Sequence, residues 1–389
     1  MKVMLVFGTR PEAIKMAPVI EVLKKQKRQF QTIICVTAQH REMLDQVLRI
    51  FDIHPDYDLG VMNPGQDLFD VTSRCLSAMK QVLASEKPDV VVVQGDTTSA
   101  FIAALAAFYS RIPIAHIEAG LRTHHKYSPY PEEMNRCLLS VLADIHFAPT
   151  TWAKSNLLKE GIASSKIVVT GNTVVDALLT IQRRQKSKAA GIAWKNYFQN
   201  SWDLEIPDKR AKKKMILVTG HRRENFGENF KNICFALKEI AEQREVIIVY
   251  PVHLNPNVQA PVKAILSGID NVRLIEPLEY EPFIYLMRHA YFILTDSGGI
   301  QEEAPSLGKP ILVMRDTTER PEGIKAGVVK LIGTNKKPIV NHALALLDDE
   351  KLYIKMSRAV NPYGDGKAAE RIVAKLRGMF CKALSKIIS

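Results

Sequence analysis

The segment KPDVVVVQGDTTSA, residues 87–100, limits what this chain can fold into more than any other. Its run of valines has no polar face, so the strand it forms is apolar on both sides. Such a strand is stable inside a parallel sheet whose two faces are covered by crossover helices. The signature recurs along the chain. Lys2–Phe7, QTIICV, RIPIAHI, ADIHFA and KIVV carry it in the first half, and MILVT, VIIVY, VRLI, YFILT and KPILV in the second. Between these runs REMLDQVLRIF is amphipathic, Leu68–Leu83 has helical spacing, and SAFIAALAAFYS is a small-residue helix. The expected fold class is α/β, with two doubly wound Rossmann-like domains facing a cleft.

At 389 residues the chain has room for about two to three domains. Residues 1–182 are read as the first Rossmann-like domain and residues 215–366 as the second. Residues 183–214 break the alternation; they are basic, and AWKNYF has the look of a short packed helix, so the stretch is read as a linker with a surface insert. Residues 367–389 form an amphipathic helix expected to pack back toward the first domain. The second half opens as the first does, a strand and a glycine followed by a polar basic turn (GTRPE against TGHRREN), which is symmetry at domain scale.

Bulk properties exclude several classes. The net charge of +12 gathers in KKQKR, RRQKSK and KRAKKK, with no interleaved aromatic residues of the kind single-stranded nucleic acid stacks on. The five cysteines (Cys35, Cys75, Cys137, Cys234, Cys381) are odd in number and lack CxxC spacing, so they are read as buried thiols in a reducing compartment. The longest apolar candidate, AFIAALAAF, is about half of the roughly 20 residues a membrane span requires. The N-terminus turns polar after Phe7, unlike a secretory signal, and the expected location is cytoplasmic. GxGxxG after a strand, GxxxxGK[ST], HExxH and GxSxG are all absent, which removes support for nicotinamide, P-loop, zinc and serine chemistry.

Ligands of doubly wound sheets bind at the carboxyl ends of the strands, at a switch point. Asp96 and Glu118 stand at such ends, as candidate acids or as helix caps. Arg10 and Lys15 flank the helix mouth after Gly8 and suit a diphosphate or a carboxylate, or are surface cations. Glu132 opens the PEEMNR helix, where an acid is either a catalyst or a dipole partner. His221 directly follows a strand-terminal glycine. In DSGGIQEEAPSLGKP, Ser297 is expected to cap a helix, Gly298 and Gly299 to bring an anion to bare amides, and Glu303 to take two sugar hydroxyls through two oxygens. Phosphate amides plus a ribose carboxylate describe a nucleotide site; the alternative is an ordinary strand-to-helix turn.

GTRPEAIKMAP, TAQHREMLDQVL, VQGDTTSA, HIEAGLRT, PEEMNR, TGNTVVDAL, TGHRREN, YPVHLNP and LTDSGGIQEEAPSLGKPILVMRDTTERPE together resemble the non-hydrolysing UDP-N-acetylglucosamine 2-epimerases, in the same order from Lys2 to about Gly366. The resemblance implies glycosyltransferase type B architecture, interconversion of UDP-GlcNAc and UDP-ManNAc without nicotinamide or metal, a role in bacterial cell-envelope polysaccharide synthesis, and a homodimer. It implies that Asp96, Glu118, Glu132 and His221 are catalytic. Arg10, Lys15, His221 and Arg320 would hold the diphosphate or sugar, Ser297, Gly298, Gly299 and Glu303 the phosphate and ribose, and Phe283 the uracil. Leu278 stands where many members have glutamine, so a uracil contact there would run through backbone. Gln39, Arg222 and His253 match positions associated with a second UDP-GlcNAc bound as an activator. The resemblance leaves open a hydrolysing relative, an epimerase of a modified UDP-sugar, a UDP-sugar glycosyltransferase and an inactive binding module.

Overall fold

The computed structural model describes residues 1–38, 41–62, 65–207 and 212–388. The chain divides into two compact units, Met1–Ala177 with Tyr363–Ser389, and Leu178–Pro362.

The first unit is a parallel sheet of β1 (Lys2–Phe7), β2 (Gln31–Val36), β3 (Tyr57–Asp58), β4 (Val90–Gln94), β5 (Ile114–Ile117), β6 (Ile145–Ala148) and β7 (Ile167–Val169). Their order is β3-β2-β1-β4-β5-β6-β7. The all-valine strand is central, and Val90 to Val93 are at most 1% exposed. Met4, Val6, Val91 and Val93 share one core layer with Cys75, Met79 and Leu83 of the helix Leu68–Glu86 and with alanines of the helix Thr98–Tyr109. The order reverses between β1 and β4, so the chain leaves these strands in opposite directions and opens a crevice at their carboxyl ends.

The second unit repeats the plan with β8 (Lys214–Thr219), β9 (Val246–Pro251), β10 (Val272–Ile275), β11 (Phe292–Thr295), β12 (Ile311–Val313) and β13 (Val329–Leu331). Their order is β10-β9-β8-β11-β12-β13, all parallel, with the switch point between β8 and β11. Phe230, Leu237 and Ile240 of the helix Glu228–Gln243 fill the layer against Ile216, Val218 and Ile248. β1 and β8 hold equivalent places in the two sheets, but their exits differ. After β1 the helix Arg10–Lys25 begins within three residues; after β8 a 3-10 turn, Arg223–Asn225, precedes the helix at Glu228.

The basic stretch after the first unit is mostly helical: Thr173–Arg184 runs into it and Lys188–Trp202 lies within it. Ser187 caps the latter, its Oγ accepting the Ala190 N–H at 3.1 Å. The fully buried Phe198 stacks on Tyr285 of the helix Tyr280–His289, centroids 5.8 Å apart. Past Pro362 the chain returns to the first unit. The Tyr363 carbonyl accepts the Asn172 N–H at 2.6 Å, and Asp176 accepts the N–H groups of Ala368 and Ala369 at the start of the helix Ala368–Ile388. That helix packs on Arg10–Lys25.

Among the described residues no helix is long and apolar enough to cross a membrane. Cys35, Cys75 and Cys234 are buried free thiols and Cys137 is a half-buried one; the Cys381 side chain lies outside the described residues.

Candidate active site

In the first unit the charged candidates gather around the switch point. Gly8 ends β1 against β2; a Cβ there would overlap Thr37 Oγ1, which itself donates to Ser99 Oγ at 2.9 Å. The turn that follows is fixed by Glu12, a 2% exposed carboxylate. Glu12 Oε2 accepts the N–H groups of Gly8 and Thr9 at 3.0 and 2.8 Å, and Oε1 accepts Thr97 Oγ1–H at 2.6 Å. Burial pushes its carboxyl up, against the pull of these hydrogen bonds. One side chain thus ties the loop carrying Arg10, which is half-buried, to the loop carrying Asp96.

Asp96 follows β4 and is gripped by Arg136 of the helix Glu132–Leu142. Nε donates to Oδ2 at 2.8 Å, and Nη2 stands 2.7 Å from the same oxygen in an ion pair. Asn135 Nδ2 donates to the Asp96 carbonyl at 2.9 Å. Arg136 Nη1 donates to buried Glu133 at 2.9 Å, and Glu133 Oε1 accepts the Thr123 and His124 N–H groups. Burial pushes the Glu133 carboxyl up, but these N–H groups and Arg136 outweigh it and hold it below its ordinary value. His116, at the end of β5, is structural: 1% exposed, it donates from Nε2 to the Gly95 carbonyl at 2.7 Å, and burial lowers its pKa to about 4.

Glu118 is 8% exposed and sits at φ +65°, a left-handed conformation that costs energy for a side chain of this size. It forms an ion pair with Lys15, and Asn172 Nδ2 donates to its Oε2 at 3.1 Å. Lys15, expected beside the helix mouth as a phosphate ligand, is therefore engaged by an acid. Glu132 is the first residue of its helix, and its buried Oε2 has no hydrogen-bond partner among the described residues.

In the second unit the DSGG stretch follows β11 and starts a short helix, Gly298–Glu303. Ser297 occupies the N-cap position, but its side chain makes no capping hydrogen bond, contrary to expectation; its N–H is held by Thr295 Oγ1 at 2.9 Å. Gly298 is required by a close approach. A Cβ there would stand 2.5 Å from Arg320 Nη1 and 2.8 Å from its Cζ, so the guanidinium lies against bare backbone. Arg320 is 8% exposed; its Nε donates to Glu302 Oε1 at 2.7 Å and its Nη1 to Glu319. Glu319 also pairs with Arg315 at 3.0 Å. Burial pushes Glu319 up, but Arg320 and Arg315 hold it far below the usual carboxylate range.

Glu303 is 7% exposed and its Oε1 accepts Tyr280 Oη–H at 2.8 Å. One of the two oxygens expected to take sugar hydroxyls is thus already engaged within the protein. Burial raises the Tyr280 hydroxyl well above its ordinary pKa, and Glu303 adds to the rise. Phe283 lies one turn further along the same helix, half-buried, and Leu278 is half-buried in the loop just before it. His221 and Arg222 leave β8 with their N–H groups bonded to Asp296 Oδ2, both at 2.9 Å. His253 stacks on the His221 ring at 5.4 Å, so Arg222 and His253 adjoin His221 rather than forming a separate group. Gln39 lies outside the described residues.

Glu12, Glu133, Arg136, Asn172, Tyr280, Glu302 and Glu319 escaped the sequence reading. The spacing of Glu133 and Arg136 in PEEMNR was the one available signal, an i,i+3 acid–base pair on a helix.

Two parallel sheets with flanking helices and two Rossmann-like halves define the glycosyltransferase type B fold class. Comparison narrows the class. The profile of the family described as UDP-N-acetylglucosamine 2-epimerase matches residues 22–377. A UDP-N-acetylglucosamine 2-epimerase of Salmonella typhimurium is 58% identical over 378 residues, 97% of this chain and 98% of that protein. Among solved structures, UDP-GlcNAc 2-epimerase from Neisseria meningitidis bound to UDP-GlcNAc is 52% identical with a TM-score of 0.89, over 97% of this chain and 99% of that one. The Methanocaldococcus jannaschii UDP-GlcNAc 2-epimerase in complex with UDP-GlcNAc and UDP is 35% identical with a TM-score of 0.79, over 97% and 99%. This chain belongs to the UDP-N-acetylglucosamine 2-epimerase family.

Proposed function

We propose that the chain interconverts UDP-GlcNAc and UDP-ManNAc without net hydrolysis, by anti-elimination of UDP and re-addition, and that it serves cell-envelope polysaccharide synthesis as a homodimer. Carbon 2 of the sugar has no neighbouring carbonyl, so its proton is not acidic. Elimination avoids that obstacle. A carboxylate takes the C2 proton, the C2–H electron pair becomes the C1–C2 double bond, and the C1–O pair departs with UDP, leaving 2-acetamidoglucal. UDP then re-adds at C1 while a proton is delivered to the opposite face of C2.

The observation that carries this reading is the set of three acids at one end of the first sheet, each in a distinct environment. Asp96 is gripped by Arg136, Glu118 by Lys15 and Asn172, and Glu132 has a buried oxygen with no partner among the described residues. Two-sided proton transfer at C2 calls for acids on both faces of the carbon. Departure of UDP calls for cations and oriented N–H groups, and Arg10, His221, Arg320 and the backbone at Ser297, Gly298 and Gly299 are assigned to it. Glu303, Phe283 and the Leu278 backbone are assigned to the uridine. A second UDP-GlcNAc as activator at Gln39, Arg222 and His253 belongs to the same reading. Asp96→Asn and Glu118→Gln are expected to keep UDP affinity within a few-fold while abolishing turnover; full activity in both variants would remove the acids from the mechanism.

A further inference from the structure

β11 and β8 are neighbours in register, Thr295 opposite Thr219, so Asp296 emerges beside the chain leaving β8. It is completely buried. Its two oxygens are used very differently. Oδ2 accepts the N–H groups of His221 and Arg222 and Asn225 Nδ2–H, at 2.9, 2.9 and 3.1 Å. Oδ1 accepts no hydrogen bond from the described residues, and His221 Nδ1 stands 3.7 Å away. A buried carboxylate oxygen without a donor is costly and rare. Holding the turn after β8 accounts for Oδ2 and leaves the buried Oδ1 unexplained. The His221 ring is itself constrained. Its face stacks on His253 with planes 15° apart, and the His253 ring is fixed in its own loop by the Asn255 N–H on Nδ1 at 3.1 Å.

We propose that Asp296 is a positioning residue for His221. Its Oδ1 takes the Nδ1–H when the ring closes the 3.7 Å gap to hydrogen-bond distance, a tightening that occurs on substrate binding at such sites. That contact fixes the tautomer and aims Nε2, at the opposite ring edge, away from Asp296. It also stabilises an imidazolium, whose Nε2–H donates a hydrogen bond to the diphosphate oxygen that receives the C1–O electron pair. No proton is transferred in this step. The inference rests on the assignment of His221 to the departing diphosphate. In Asp296→Asn the amide oxygen can still accept the backbone N–H groups, but the NH₂ then confronts Nδ1 and forces the ring to present an acceptor there.

The test has two parts. First, ring-nitrogen NMR of the full wild-type chain labelled at histidine and saturated with UDP, with His221→Asn used for assignment, is expected to show Nδ1 protonated. A His221 ring protonated on Nε2 alone would overturn the proposal. Second, Asp296→Asn is expected to lower kcat at least about 100-fold while KM and UDP affinity stay within about threefold. The double variant with His221→Asn should be no slower than His221→Asn alone, because the two residues act as a unit. Unchanged kcat in Asp296→Asn, or losses that multiply in the double variant, would overturn it. Absence of epimerase activity in the wild type would instead defeat the functional reading, and the ring-nitrogen spectrum would still decide the pairing.

Discussion

Arg136 offers the sharpest separation of folding from chemistry in the first unit. Methionine at this position keeps most of the length and apolar stem but supplies no donor. The change deletes a hydrogen bond to Asp96 Oδ2 at 2.8 Å, an ion-pair contact with the same oxygen at 2.7 Å, and a hydrogen bond to Glu133 Oε2 at 2.9 Å. Removing one partner of a buried ion pair costs about 3–5 kcal/mol, because the other charge is left uncompensated. Here the lower end applies. Glu133 keeps the N–H groups of Thr123 and His124, and the Asp96 side chain is 23% exposed, so water relieves it. About 3 kcal/mol corresponds to a fall of roughly 6–12 °C in Tm for a domain of this size. Loss of the grip also frees the Asp96 carboxylate to rotate, and misplacement of an acid by about 1 Å costs on the order of 100-fold in turnover. Calorimetry and initial rates with UDP-GlcNAc read both quantities. Arg136→Lys, which restores charge but not the two-donor fork, should recover most of the Tm and little of the kcat. A wild-type kcat in Arg136→Met, whatever its Tm, would show that Arg136 does not position Asp96 for turnover.

Tyr280→Phe removes the hydroxyl that holds Glu303 Oε1, and should weaken UDP binding roughly 10- to 100-fold by titration calorimetry, from the value of a hydrogen bond to a charged group; unchanged affinity would separate Glu303 from the nucleotide. His116 and His146 are cross-strand neighbours on β5 and β6, and burial lowers the pKa of each to about 4 from 6.5. Both are therefore neutral in the fold and bind protons on unfolding, so stability is full above about pH 6.5 and is lost as the pH falls toward about 4. His146 makes no hydrogen bond from either ring nitrogen among the described residues, so His146→Leu should flatten the pH dependence of the urea midpoint in that window, and parallel curves would contradict the assignment.

Much of the fold was readable because fully buried parallel strands are written as uninterrupted apolar runs. β1 matches its predicted span residue for residue, β4 and β11 lie inside their predicted runs, and β9 extends VIIVY by one residue. The edge strands β7 and β10 were readable as KIVV and VRLI, but the edge strands β3 and β13 were not. Tyr57–Asp58 is two residues long and half polar, and Val329–Leu331 is interrupted by an exposed lysine. At the site, residues that follow a strand directly, such as Arg10, Asp96 and His221, were visible from local pattern alone. Their partners were not. Asn172 reaches Glu118 across 54 positions, and Arg136 reaches Asp96 across 40. No spacing rule links residues so far apart; the sheet order brings them together. Ser297 takes the expected N-cap position, but its side chain makes no capping bond, for a related reason. Capping statistics describe helix ends in isolation, whereas here the backbone of Ser297 is already engaged by Thr295 from the end of β11.

Reversible epimerisation through elimination is read by proton NMR of the purified protein with UDP-GlcNAc in heavy water. A growing UDP-ManNAc signal with deuterium at C2 of both epimers is expected with no added cofactor. Free ManNAc and UDP as the accumulating products, or epimers that retain the C2 proton, would contradict it.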